Sequence, residues 1–462
     1  MAKIVKILIL LAVLFFGNKL RSYSYASVPH PGEVADEYAW GWLGLSLITN
    51  RYPESWSLNL YKNTVYKKIN VDSIYDKNPE TKAFAIVKPS FDNPPLFGLI
   101  TGGYSYLKGV RNFEDASVAI LRRPMLKIAL ISTILIFILA SRLYGLNVGL
   151  LSAALYSIIP TMVISSRLAL IENGYTPLFL GTLILADVYF EKKKKKYWIL
   201  AVFLASLAIL FKLSGVSIAL ALIVLALFYG RKDKRFLIFS VFVGIVFSIV
   251  AFISYGALID WRAFFGTFIQ NSQRFYGAGS EILLQIISQS RITTNRFLTD
   301  GWIIFGWISL LILTFTEWRK TKGGVYLTVS VLSCLLVLII FGGESYGWYK
   351  YPLFPFLAIA TARIIQKMYQ SPNFLLLLVL TLLPFGSSVH RLVGFVEFQP
   401  YAIYLKLFSV LVFILFSFSI FLKKKVSLKI QRILLVVIIA FLFWLSIKEI
   451  FYYTIDKWYF VT

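Results

Sequence analysis

Two adjacent carboxylates, Asp36 and Glu37, stand in VADEYAWGW a short way past the first apolar run of a strongly hydrophobic chain. Acids at a membrane surface are costly and therefore presumptively functional. A third acid, Glu172, follows Arg167 by five residues in SRLALIENGY. Lys212 in FKLSG and Lys350 in GESYGWYKYP supply cations near the ends of other apolar runs. Acids and bases drawn from such distant places form an active site only if the chain brings them to one face. Metal chemistry has little to work with. The single cysteine, Cys334, falls inside an apolar run and the two histidines are His30 and His390, which gives neither a disulfide framework nor a His/Cys zinc site.

The elements that must position these residues are membrane spans. With 58% hydrophobic and 15% charged residues over 462 positions, and a mean hydropathy of +0.74, the chain carries many apolar runs of bilayer length. The expected fold is an all-α polytopic membrane protein forming a single domain over 1–462. The formal charge of +25 sits in short clusters between apolar runs, as the positive-inside rule expects, rather than in a nucleic-acid footprint. Spans are expected near 4–20, 119–143, 147–166, 174–190, 197–212, 214–229, 236–256, 301–316, 325–341, 352–369, 373–389, 403–422 and 431–450, about thirteen in all. The first is either an anchor or a removable signal, with Ala26 in a plausible cleavage region.

This count places Arg142, Lys192 to Lys196, Arg231 to Arg235, Arg319 to Lys322, Arg363, Lys367 and Lys423 to Lys425 on the cytoplasmic side. Residues 91–109, FDNPPLFGLITGGYSYLKG, are apolar but short and Pro-Gly-rich. If they crossed, the five-lysine run would be exported, so the segment is expected to lie flat on the outer face. Outside then fall the first loop with its lead-in, 21–118, the turns at Arg167 to Glu172 and at Lys212, a second long loop over 257–300, and the stretch around Lys350. Asp36 to Thr49 shows helical spacing and is expected along the interface, with Trp40 and Trp42 at headgroup level.

The ordered marks ADEYAW (35–40), DNPPLFG (92–98), AILRRP (119–124), SRLALIEN (166–173), FKLSG (211–215) and YKYPLFPFLA (349–358) resemble the GT-C glycosyltransferases. The branch that looks most similar is that of the protein O-mannosyltransferases and the lipid A aminoarabinose transferases. That resemblance implies transfer of a sugar from a polyprenyl phosphate, outside the membrane, to a hydroxyl on a protein, glycolipid or cell-wall polymer. A hydroxyl is a poor nucleophile, so a carboxylate should take its proton as it attacks the anomeric carbon, and a single displacement inverts that carbon. By resemblance Asp36 is the base, Glu37 orients the acceptor or the loop, and Glu172 supplies the second acidic motif.

Lys212, Lys350 and Arg167 are candidates for the donor phosphate, with Arg262, Arg274, Arg291 and Arg296 behind them. Asp92, Asn93, Tyr346 and Tyr351 are candidates for substrate contact. A divalent cation at the carboxylates is an open expectation; two or three carboxylates suit a hard cation at most. Plainer readings stand beside these. Glu172 would cap the following helix, Lys212 would snorkel at a span end, and the aromatics around Lys350 would form an interface belt. The aminoarabinose branch has lysine before its proline turn where this chain has Asp92-Asn93, with Lys88 close by. A flippase of polyprenyl-linked glycans or a non-catalytic assembly subunit are the readings from other classes, although no internal repeat is evident.

Overall fold

The computed structural model describes residues 2–57, 65–73, 80–272, 290–293, 296–341, 347–393, 396–421 and 424–458. A helix occupies each expected span. They are α1 (Ala2–Ser22), then α4 (Val118–Tyr144), α5 (Leu146–Ile158) with the short α6 (Pro160–Ser165), α7 (Ile171–Lys192), α8 (Lys195–Phe211), α9 (Val216–Tyr229) and α10 (Lys234–Ser272). After the second long loop come α11 (Gly301–Glu317), α12 (Lys322–Phe341) and α13 (Phe354–Gln370). Next are α14 (Phe374–Leu380) and α15 (Gly386–Val393), joined through a wide turn at Thr381–Phe385, then α16 (Ala402–Ile420) and α17 (Lys424–Tyr452). Among the described residues, six helical stretches are long and apolar enough by themselves to cross a bilayer. α13 is buried without interruption from Phe354 through Ala362.

The first loop holds two further helices, α2 (Asp36–Thr49) and α3 (Leu96–Leu107). At 12 residues α3 is about 18 Å long, well short of a bilayer core, so it is no span. It packs backbone to backbone on α2. A Cβ added at Gly44 would stand 1.8 Å from the Gly98 carbonyl oxygen, and one at Gly102 would stand 2.2 Å from the Leu45 nitrogen. The glycines of the GLITGG run therefore serve close helix packing.

The same loop also folds a three-stranded antiparallel sheet that the helical expectation does not contain. It runs β1 (Ser55–Trp56), β3 (Glu80–Val87), β2 (Val65–Ser73), with Ile69 opposite Phe84. Its apolar face covers α2, and this corrects the placement of the tryptophans. Trp42 is fully buried, stacked on Phe113 at 5.3 Å and donating from Nε1 to the Phe113 carbonyl. Trp40 is buried as well. Neither indole is exposed to meet headgroups, because the protein itself covers that part of α2.

The basic turns gather at one end of the bundle. Arg142 on α4 binds Asp187 on α7 at 2.6 Å, Lys322 on α12 binds the same carboxylate, and Arg363 and Lys367 on α13 hold Glu317 at the end of α11. Since Glu172 opens α7 and Asp187 lies 15 residues on, about 22 Å of helix separates this lysine-rich face from the one that carries the acids.

Candidate active site

Glu37, in the first turn of α2, is fully buried. Arg122, at the start of α4, grips it with two parallel bonds, Nε to Oε1 at 2.8 Å and Nη2 to Oε2 at 2.7 Å. The backbone N–H of Ala169 donates to the same Oε1 at 2.8 Å. Arg122 also donates to the carbonyls of Tyr25 and Pro29. A bidentate guanidinium–carboxylate pair fixes geometry as well as charge, so Glu37 ties together the first loop, α4 and the 166–170 turn. The carboxylate is occupied in positioning that turn.

The turn delivers Glu172. Asn173 donates to the carbonyls of Ser165 and Leu168, which closes the chain into the first turn of α7. Gly174 leaves room for the Phe97 ring of α3, which rests also on Phe211. The buried Glu172 carboxylate accepts from Lys212 Nζ at 2.6 Å. Lys212 follows the last residue of α8 in extended backbone, and its ammonium lies 4.3 Å from the centroid of the Tyr349 ring. Burial alone would lower its pKa. The attractions of Glu172, Tyr349 and Asp36 outweigh burial and hold it above the ordinary lysine value. Asp36, half-buried at the start of α2, thus acts on the same cation as Glu172.

Other expected residues fall around this centre. Tyr351 is buried in the turn Gly347–Leu353, donates to the Ile292 carbonyl at 3.2 Å, and is raised by burial, then by the charges of Glu172 and Glu37. Lys350, in the same turn, is buried and its ammonium is lowered by desolvation to about 8. Asp92 accepts from Ser57, and Asn93 is half-buried beside it ahead of α3. Lys88 pairs with Glu54 at 2.7 Å. Arg296 lies 3.5 Å from Glu33, and Arg262 is exposed on α10. Tyr346 and Arg274 lie outside the described residues, as does the side chain of Arg291.

Arg167, expected at the donor phosphate, is fully buried and donates to the Leu20 carbonyl at the end of α1 and to Val28. Burial, then the neighbouring charges of Arg122 and Arg21, lower its pKa. Its guanidinium is turned into the protein, because the carbonyls left over at the end of α1 need donors. Sequence reasoning missed Arg122 as the partner of Glu37. Its signal was present: an arginine pair, Arg122-Arg123, at the entry to an apolar span.

Among the described residues no three potential ligands come together, and Glu37 and Glu172 already hold cationic side chains. What the arrangement offers is a half-buried acid beside a cation that a second acid keeps charged.

Residues 92–255 match the family model described as dolichyl-phosphate-mannose-protein mannosyltransferase. No curated protein sequence matches the chain. ArnT from Cupriavidus metallidurans, solved bound to undecaprenyl phosphate, is similar with a TM-score of 0.56 at 13% identity, over 97% of this chain and 77% of that one. The archaeal oligosaccharyltransferase AglB from Archaeoglobus fulgidus, in complex with an inhibitory peptide and a dolichol-phosphate, gives 0.52 at 11% identity, over 80% of this chain and 51% of that one. The arabinosyltransferase EmbB from Mycobacterium smegmatis gives 0.51 at 12% identity, over 95% of this chain and 40% of that one. The chain thus spans about half the length of AglB and less of EmbB. At these identities the shared property is the fold: a polytopic helical membrane protein that resembles the GT-C glycosyltransferases.

Proposed function

We propose that this chain is an inverting glycosyltransferase that moves a sugar, of the mannosyl type in the first instance, from a polyprenyl phosphate to an acceptor hydroxyl at the extracytoplasmic face. Asp36 takes the proton of the hydroxyl while its oxygen bonds to the anomeric carbon. The bond from that carbon to the phosphate oxygen breaks, and the phosphate departs on its lipid. General-base help of this kind is worth about 10²–10⁴-fold. Lys212 meets the charge that develops on the leaving phosphate, as fixed cations do best where water is excluded. Glu172 keeps that ammonium charged and aimed, Lys350 adds a second cation, and Glu37 with Arg122 holds the turn that carries Glu172.

The observation that carries this reading is the position of Lys212, bonded to Glu172 and within electrostatic reach of Asp36. Base and phosphate cation then occupy one site built by α2, α7 and α8. The polyprenyl-phosphate donor is supported by the ligands of ArnT and AglB, and the sugar by the name of the matching family model. The acceptor is a protein, a glycolipid or a cell-wall polymer.

Purified protein in lipid, offered polyprenyl-phosphate sugars one at a time with a mixed acceptor extract, tests the proposal. Wild type should transfer one of them and D36N should not. Transfer undiminished in D36N would remove the base, and movement of the lipid-linked sugar between leaflets without transfer would make the protein a transporter.

A further inference from the structure

The helix α10 is 39 residues long, about 58 Å if straight and roughly twice a bilayer core, so it cannot lie wholly within one. It breaks at Asp260, whose backbone is extended and whose Oδ1 accepts from the Ala263 N–H at 3.0 Å, the geometry of a helix starting afresh. The last part, 261–272, bends back on the first, because Gly256 leaves space for the Phe264 ring, which also meets Phe252 at 5.1 Å and Phe91 at 5.5 Å.

This short helix has three sides. Ala263, Phe264 and Thr267 are buried against the protein. Trp261, Phe265, Phe268 and Ile269, at spacings of four, seven and eight, are exposed, Trp261 and Phe268 each by 50%. Arg262, Gly266 and Gln270 lie between those two sides. The bare apolar side continues a stripe on the spanning part of α10, where Phe239, Phe242, Val246, Val250 and Ile253 are exposed and can only face lipid.

We propose that residues 261–272 form an interfacial helix whose apolar side is embedded in the leaflet on the site side, with Arg262 toward water. Its occupant is the lipid surface itself, since the exposed apolar residues of the spanning part lead through Leu258 to the break at Asp260 and resume directly after it at Trp261, which suits headgroup level. Its protein side packs on Phe91, next to Asp92, in a cluster that Leu213, next to Lys212, also joins. The helix therefore sets the level of the candidate site against the headgroups. That second role rests on the glycosyltransferase reading; the embedding does not.

Single cysteines at Phe265, Ile269 or Arg262, in a C334A background, carry an environment-sensitive fluorophore in full-length protein in phosphatidylethanolamine–phosphatidylglycerol nanodiscs. Nitroxide lipids labelled high on the acyl chain should quench F265C and I269C more than an aqueous nickel chelate does, with the reverse at R262C. Stronger aqueous quenching at both apolar positions overturns the embedding, including the case in which a partner protein is the true occupant. For the levelling role, F265S/F268S should raise KM for a long-chain polyprenyl donor more than for a short-chain analogue; equal changes overturn it. A protein that transfers no sugar yet shows the quenching pattern refutes the transferase reading and leaves the embedding standing.

Discussion

At the lysine-rich end of the bundle each buried acid is answered twice: Asp187 by Arg142 and Lys322, Glu317 by Arg363 and Lys367. At the other end the same α7 carries Glu172, whose one ion-pair partner among the described residues is Lys212, and Asp36 is half-buried where the acids of the first end are buried. Glu37 and Glu449 follow the first pattern at that end, Glu37 with a bidentate arginine and a backbone donor and Glu449 with the bidentate Arg391 and the Tyr453 hydroxyl. The difference separates charge used to clamp helices from charge left able to act on a ligand. Saturated buried pairs resist change, because removing one partner strands the other. A carboxylate with one partner or an open edge can still exchange protons or partners.

Breaking the comparison at its most open acid should have the largest effect on chemistry. D36N should lower transfer by about 10²–10⁴-fold while the melting temperature in detergent stays at wild type, measured by product formation and thermal unfolding. E37Q should act first on stability. It weakens a fully buried pair, so a loss of stability of about 3–5 kcal/mol is expected, seen as early unfolding, with R122M matching it and the double variant less than additive.

K212M removes a preorganised charge and should cost about 10²–10³ in turnover, with K212R recovering part. Lys350 sharpens the picture further. With its pKa lowered to about 8, its ammonium is present below pH 8 and lost above it. Donor affinity should therefore fall as pH rises through 8, and K350R, charged throughout, should flatten that fall. Smallest of all, alanine at the exposed Lys194 and Lys195 should leave both transfer and melting temperature unchanged.

The helices were legible because a run of bilayer length must be apolar whatever it packs on, and several of the basic turns meet at one end of the bundle. Asp36, Glu172 and Lys212 were legible as charges at span ends. The sheet was not, since VYKKINVDS and ETKAFAIV bury one face of a short hairpin while lysines and Asn70 make the segment read as a polar loop. Nor was the Glu37–Arg122 bond, 85 residues apart along the chain, or the capture of Arg167 by the end of α1. Each is set by which elements meet in space, and local spacing carries no record of that. The break in α10 was hidden for a different reason: it falls at an aspartate, with no proline to mark it.

The seam between α2 and α3 has a consequence for how substrates get in. Where two backbones touch at Gly44, Gly98 and Gly102, no side chain is available to change rotamer and absorb a shift. The two helices can then only travel as one rigid body, carrying Asp36 and the Asp92-Asn93 turn with them. On the proposed reading, motion that admits an acceptor would then come from another element at Lys212, the turn Gly347–Leu353, whose Tyr349 ring lies against the ammonium.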